Sequence, residues 1–279
     1  MLDFPRKKSA REPIVMLTAY DYPSARQVEA AGADIILVGD SLAMVVLGME
    51  STVPLTLDES LHHCRAVARG SKTCFLLGDM PFLTYQVSVA EAVTHAGRYL
   101  KEGGMDAVKV EGGRRIAGTV RAMVDAGIPV MGHVGLTPQS AGQLGGYRVQ
   151  GKTAASAVAM LEDALALEAA GCFSVVLESV PAAVAQRVSQ RLQVPTIGIG
   201  AGAGCDGQVL VYHDLLGIFD DFQPRFVRRY GELGGAAVKA LTAYAEDVRS
   251  GSFPAVEHTY PMDDDELQRF LQASDEVEL

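Results

Sequence analysis

The 279-residue chain is predicted to form a single (β/α)₈ barrel, on three observations. Short apolar runs alternate with longer helical segments from about residue 14 to residue 250. Most of those runs are continuously apolar, as in Ile35-Ile36-Leu37-Val38, which fits strands buried on both faces of a parallel sheet. The first run passes into Thr18-Ala19-Tyr20-Asp21-Tyr22-Pro23 without a glycine-rich turn, so the fingerprint of a doubly wound nucleotide-binding sheet is missing.

In chain order the expected strands are Ile14–Ala19, Asp34–Val38, Cys74–Gly78, Ala107–Val110, Pro129–Gly132, Ser174–Leu177 and Thr196–Ile199, with an eighth somewhere in Val209–Phe219. Helical patterns lie between them at Pro23–Ala31, Leu57–Arg69, Val89–Glu102, Arg114–Ala126, Ala154–Ala170 and Ala182–Arg191. Gly32, Gly70, Gly103, Gly127 and Gly171 follow helical segments and are expected as left-handed stops. Arg225–Arg249 is expected to be helical, in one piece or broken at Gly234-Gly235. Residues 1–258 read as one barrel domain with an N-terminal extension, and 259–279 as an acidic tail, either disordered or a short surface helix.

Composition excludes several classes of function. Thirty-four acidic residues against 24 basic ones give a formal charge of -10, which disfavours a nucleic-acid partner. Cys64, Cys74, Cys172 and Cys205 are isolated, with no CxxC spacing for zinc or redox chemistry. The polar, basic stretch Met1–Pro13 has no apolar core for a signal peptide, and no apolar run is long enough for a membrane span. The expected location is the cytoplasm.

Polar groups gather where the apolar runs stop: Asp40-Ser41, Asp79, Lys109 with Glu111, His133 and Glu178. In a barrel these carboxyl-terminal strand ends meet at one mouth, where active sites are built. Asp40, Asp79 and Glu111 aimed at one point would repel one another without a cation, and oxygen-only ligands suit Mg²⁺ or Mn²⁺. For Asp40 alone, capping of the following turn is an alternative. Lys109 and Glu111 are two apart on a strand, so their side chains share a face; they form either a substrate-facing pair or a structural ion pair. His133 is a hydrogen-bond donor toward a developing oxyanion or a satisfied core histidine. Glu178 at the end of a buried run is a candidate general base. Ser41 offers a hydroxyl beside Asp40, without the GxSxG of a nucleophile. The run Gly198-Ile-Gly-Ala-Gly-Ala-Gly204 reads as a place of close backbone approach.

The segments Leu17-Thr-Ala-Tyr-Asp-Tyr22, Val38-Gly-Asp-Ser-Leu42, Gly78-Asp-Met-Pro-Phe82, Val108-Lys-Val-Glu-Gly-Gly113, Gly132-His-Val-Gly-Leu-Thr-Pro-Gln139, Leu177-Glu-Ser-Val-Pro181 and Ile197-Gly-Ile-Gly-Ala-Gly202 resemble ketopantoate hydroxymethyltransferase, in family order. The resemblance implies transfer of a hydroxymethyl unit from 5,10-methylenetetrahydrofolate to 3-methyl-2-oxobutanoate, giving 2-dehydropantoate on the way to pantothenate and coenzyme A. It implies a Mg²⁺ ion bound directly by Asp40 and Asp79 and through water by Glu111, with Mn²⁺ or another divalent cation as a substitute. It also implies that Ser41 and Lys109 hold the keto acid carboxylate, that His133 lines the pocket, that Glu178 is the base, and that the chain assembles as a homodecamer. Ala43 departs from the family pattern, where many relatives carry glycine, and the acidic tail runs past the alignable part. A metal–enolate barrel of the isocitrate lyase type and a non-catalytic scaffold are the rival readings; the first lacks its Lys-Lys-Cys-Gly-His loop here, and the second would fit better had a carboxylate been lost.

Overall fold

The computed structural model describes residues 3–220 and 224–277. Met1 and Leu2 of the N-terminal extension and Glu278 and Leu279 of the tail lie outside the described residues. The chain divides into two compact units, Met1–Gly231 and Glu232–Leu279.

The first unit begins with α1 (Asp3–Ala10), β1 (Ile14–Thr18), α2 (Tyr22–Ala30), β2 (Ile35–Val38), the short α3 (Leu42–Val45) and α4 (Leu57–Gly70). It continues with β3 (Phe75–Asp79), α5 (Val89–Lys101), β4 (Ala107–Glu111), α6 (Ala117–Asp125), β5 (Val130–Gly135), α7 (Ala141–Leu144) and α8 (Ala154–Ala169). It ends with β6 (Ser174–Glu178), α9 (Ala182–Arg191), β7 (Thr196–Ile199), β8 (Gly207–Leu210) and α10 (Tyr212–Leu215). The eight strands are parallel and close in sequence order, with Ile14 opposite Gly207 and Met16 opposite Val209 at the seam. The expected (β/α)₈ barrel is therefore the observed fold. Helix starts follow local chemistry: Asp21, Thr56, Ser88 and Thr153 each accept a backbone N–H three residues on, as N-caps do.

Two apolar layers hold the barrel. The outer one lies between strands and helices, with Val38, Leu61, Tyr99, Val108, Leu167 and Val175 in it. The inner one fills the barrel with Met16, Leu37, Leu77, Ala107, Met131, Val176, Ile197 and Val209. Phe4 of α1 seals it from below, its ring 5.3 Å from Phe75 edge-on and 6.1 Å from Phe173. The N-terminal stretch, which reads as merely polar and basic, is thus a plug. Its lysines pin it: Lys7 pairs with Asp34 at 2.6 Å and Lys8 with Asp206 at 2.8 Å.

A repeated device ties the base. Asp34, Asp106 and Asp206 each stand immediately before an even-numbered strand and accept a backbone N–H from the odd-numbered strand before it. The donors are Val15, Leu76 and Thr196, at 2.8–2.9 Å.

Three expectations need correction. Strand β8 begins at Gly207, because a strand opening with Gly-Gln shows no apolar run, and Tyr212–Leu215 is helical. Gly32, Gly127 and Gly171 are left-handed, but Gly70 and Gly103 are not; Gly104 takes that role beside Gly103. Residues 225–232 are not helical, so the long helix starts only at Leu233. The glycine run after β7 is, as expected, a place of close backbone approach: a Cβ on Gly202 would lie 2.5 Å from the Ala182 side chain and one on Gly204 2.7 Å from that of Gln186, on α9.

The second unit contains α11 (Leu233–Ser250) and α12 (Asp264–Ser274). Asp263 caps α12, and Asp264, Asp265 and Glu266 fill its first turn, where negative charge suits the helix dipole. The acidic run of the tail is thus a helix start. No described helix is long and apolar enough to cross a membrane.

Candidate active site

The inward-facing row of each strand changes character near the mouth. Residues two apart share a face, so the row runs from Leu77 to Asp79 on β3, from Ala107 through Lys109 to Glu111 on β4, from Met131 to His133 on β5, and from Val176 to Glu178 on β6. On the opposite side the row stays uncharged, with Ile199, Val211 and Thr18 at the corresponding level. A cavity of about 210 Å³ opens there, and Asp40, Ser41, Asp79, Lys109, Glu111, His133 and Glu178 all line it. Every residue singled out from the sequence is brought to this one place.

The charged half is buried. Asp40, Asp79, Lys109, Glu111 and His133 are each 5% exposed or less. Strand register sets Asp79 beside Lys109 and Glu111 beside His133. The Lys109 ammonium stands 2.7 Å from Asp79 Oδ1, 3.5 Å from Glu111 Oε1 and 3.2 Å from His133 Nδ1. The far imidazole nitrogen, Nε2, is 3.3 Å from Glu178 Oε2. Burial and the Lys109 ammonium work against charge on the His133 imidazole, but Glu111 and Glu178 on either side outweigh them and raise its pKa to about 9. Glu178 is the most open of the four carboxylates, its side chain 16% exposed.

Asp40 does not cap α3; Ser41 is the N-cap residue, and the Asp40 carboxylate instead accepts the Gln139 amide at 3.0 Å. The Ser41 hydroxyl pairs with the buried Tyr20 hydroxyl at 2.8 Å. Gly78, the outward neighbour of Asp79, leaves room for Tyr99, because a Cβ there would lie 2.3 Å from the Tyr99 ring. Tyr99 then donates its hydroxyl to the Asp79 carbonyl at 2.8 Å. The glycine before a mouth carboxylate is therefore a packing requirement for the helix behind it.

Charge is out of balance here. Burial, then the charges of Asp79 and Glu111, push the Asp40 carboxyl well above the ordinary carboxylate range. Burial also raises Asp79, against the pull of Lys109. Burial works against the charge of Glu111 too, but Lys109 and His133 outweigh it and hold that carboxyl below its ordinary value. For Lys109, burial is likewise outweighed by Asp79, Glu111 and Asp40, which hold the ammonium above its usual range.

One oxygen of each carboxylate is tied to the protein. Asp79 Oδ2 accepts the Asp40 backbone N–H at 3.1 Å, Glu111 Oε2 accepts the Gln139 N–H at 3.1 Å, and Asp40 Oδ2 accepts the Gln139 side chain. Asp79 Oδ1 and Glu111 Oε1 are buried with no hydrogen bond of sound geometry, only the approach of Lys109 and, for Glu111, of His133. Among the described residues no three such side chains close into a finished metal cage. The donor chemistry nonetheless fits a hard divalent cation: three buried carboxylates converge on one cavity, and Asp79 Oδ1 and Glu111 Oε1 meet only Lys109 and His133. Asp40, Asp79 and Glu111 are the residues that would hold it.

Sequence reasoning missed Tyr20, Tyr85 and Gln139. Tyr20 and Gln139 lie inside the quoted segments but carry no charge to attract attention, and Tyr85 follows a loop with no periodic signal. An unusual buried Gln one step after Thr-Pro is the only local cue.

Comparison with known proteins gives one family. The profile described as Ketopantoate hydroxymethyltransferase matches residues 1–256. The 3-methyl-2-oxobutanoate hydroxymethyltransferase of Nitratidesulfovibrio vulgaris strain DP4 is 57% identical over 270 residues, 97% of this chain and 88% of that protein. The enzyme of the same name from Heliobacterium modesticaldum is 60% identical over 250 residues, 90% of this chain and 91% of its own. Among solved structures, a phosphonopyruvate hydrolase matches with a TM-score of 0.61 at 15% identity, covering 98% of this chain and 95% of that one. A 2,3-dimethylmalate lyase of the PEP mutase/isocitrate lyase superfamily matches at 0.58 and 18% identity, covering 98% and 95%. These two likenesses concern the barrel alone. By sequence over nearly its whole length, the chain belongs to the ketopantoate hydroxymethyltransferase family.

Proposed function

We propose that the chain transfers a hydroxymethyl group from 5,10-methylenetetrahydrofolate to 3-methyl-2-oxobutanoate, forming 2-dehydropantoate for pantothenate and coenzyme A synthesis. The observation that carries this reading is the division of labour at the mouth. Asp40, Asp79 and Glu111 gather around Lys109, while Glu178 stands apart, more open and contacting His133.

A bound Mg²⁺, or Mn²⁺ in its place, would polarise the 2-oxo group and lower the barrier to removing the C3 proton. Asp40, Asp79 and Glu111 would hold it. Lys109 and Ser41 bind the keto acid carboxylate, the first by charge and the second with a hydroxyl already oriented by Tyr20. Glu178 takes the C3 proton, its carboxylate lying 3.3 Å from His133 Nε2. The resulting enolate carbon bonds to the one-carbon unit; water supplies the hydroxyl oxygen, and tetrahydrofolate leaves. A cavity of about 210 Å³ suits a small branched keto acid, and a folate must extend out of the mouth. The same reading carries a cytoplasmic homodecamer.

The test is proton NMR of 3-methyl-2-oxobutanoate in D₂O with the protein, with and without Mg²⁺ and the folate. The expected result is Mg²⁺-dependent loss of the C3 proton, followed by 2-dehydropantoate when the folate is added. Exchange without transfer would remove the folate assignment and leave the enolising site. Folded, Mg²⁺-supplemented protein that gives neither would sink the reaction.

A further inference from the structure

Gln139 sits behind the carboxylates, 4% exposed, on the turn between β5 and α7, with its side-chain amide and backbone N–H engaged. Its side-chain nitrogen donates to Asp40 Oδ2 at 3.0 Å and to the Met80 carbonyl at 2.9 Å. Its side-chain oxygen accepts the Tyr85 hydroxyl at 2.7 Å, and its backbone N–H donates to Glu111 Oε2 at 3.1 Å. Tyr85, itself 1% exposed, accepts the Glu111 backbone N–H at 3.0 Å.

These bonds fix the amide one way round. Tyr85 has one proton, and its shorter contact is to Gln139; the amide oxygen must then face Tyr85, and the NH₂ must face the two acceptors. A flipped amide would set its oxygen against Asp40 Oδ2 and the Met80 carbonyl, three acceptors without a donor in a buried site. The consequence reaches the carboxylates. Gln139 occupies Oδ2 of Asp40 and Oε2 of Glu111, so it dictates that Oδ1 and Oε1 are the oxygens left over. Glu111 Oε1 is also one of the two buried carboxylate oxygens, among the described residues, without a sound hydrogen bond.

We infer that Gln139, held by Tyr85, is a positioning residue that selects which oxygens of Asp40 and Glu111 are presented to a divalent cation. The inference rests on the cation reading given above. Gln139 touches neither cation nor substrate; it acts through the two carboxylates, joining the loops after β2, β3 and β5 to the end of β4.

The test is Mn²⁺ titration of the metal-free full chain, followed by electron paramagnetic resonance of free and bound ion, without substrate. Gln139→Met keeps the length and removes every side-chain hydrogen bond; its Mn²⁺ affinity should fall about 10–100-fold, with an altered bound-ion spectrum. Tyr85→Phe, which frees the amide to turn and releases the Glu111 backbone N–H but leaves the Gln139 side chain in place, should weaken binding less and change the spectrum in the same direction. A folded Q139M with wild-type affinity and spectrum would overturn the inference alone. Should Q139M fail to fold, Y85F decides in its place, and an unchanged affinity and spectrum there would overturn it equally. Wild-type chain that takes up no Mn²⁺, or D79A that takes it up unchanged, would overturn the cation reading and this inference together.

Discussion

At the base of the barrel Asp34, Asp106 and Asp206 are bonded to strand N–H groups, and two of them also meet lysines of α1. At the mouth Asp40, Asp79 and Glu111 are more deeply buried, share one lysine, and leave Asp79 Oδ1 and Glu111 Oε1 without a hydrogen bond. The same kind of side chain is stabilising at one end and costly at the other. The difference lies in who provides the donors. At the base backbone N–H groups satisfy the carboxylates; at the mouth protein donors reach one oxygen of each, and the second oxygens of Asp79 and Glu111 meet only Lys109 and His133, where an incoming cation or substrate can bind. Chemistry and stability are thus placed on opposite ends of the same strands.

If this division is right, damage at the mouth should cost activity and spare the fold, and damage at the base should do the reverse. Glu178→Gln is expected to slow C3 proton exchange of 3-methyl-2-oxobutanoate by about 10²–10⁴-fold, with an unchanged melting temperature. Exchange at the wild-type rate in that variant would end the assignment of Glu178 as base. Next in size, Phe4→Ala opens the base plug and should destabilise the chain by about 3–5 kcal/mol in urea unfolding, while kcat at 25 °C is kept. A fall in kcat for folded F4A would break the separation of the two ends.

Smaller effects sharpen the contrast. Asp40→Asn relieves the crowding of acids in the metal-free chain and should raise its stability by about 0.5–2 kcal/mol, measured by thermal unfolding in chelator. A loss of stability would mean that Asp40 is as well satisfied as the acids of the base. The smallest concerns Glu29, which accepts the N–H groups of Lys72 and Thr73 near the start of β3, along with the Ser71 and Thr73 hydroxyls. Those bonds lower its carboxyl to about 2. Its folded pKa is below the unfolded value of about 4.3, so the stabilisation is present above that pH and is lost as the pH falls toward 2. Solvent screening limits it to on the order of 0.5 kcal/mol. Glu29→Gln should show that loss at pH 6 in chemical denaturation and a smaller one at pH 3; an equal loss at both would remove the carboxylate's charge from the explanation.

The sequence was most readable where one physical signal dominated. Buried parallel strands are continuously apolar, so seven of them were located to within a few residues, and polar side chains at their ends marked the mouth. Strand β8 escaped because it opens with Gly207-Gln208, and α1 because a single Phe4 among lysines gives no periodicity. Asp40, Asp79, Lys109, Glu111, His133 and Glu178 stood out as ionisable groups on apolar strands, with Ser41 noticed beside Asp40. Gln139 and Tyr85 did not, since neutral side chains that orient others are visible only through their hydrogen bonds. The glycines after helices were read by their commonest use, and Gly70 defied it: a Cβ there would lie 2.6 Å from the Tyr22 carbonyl, so close packing of α4 on α2 requires it.

The seam of the barrel sets a schedule for synthesis. Lys8 meets Asp206 across 198 positions, and Ile14 finds its partner only at Gly207. At ordinary translation rates about 10–40 s separate the emergence of those two partners. Throughout that interval β1 has one open edge, and Phe4 has an incomplete ring of strands to plug. A chain that stops short of β8 keeps those edges exposed to proteases and chaperones, so the bond from Lys8 to Asp206 marks a barrel made whole.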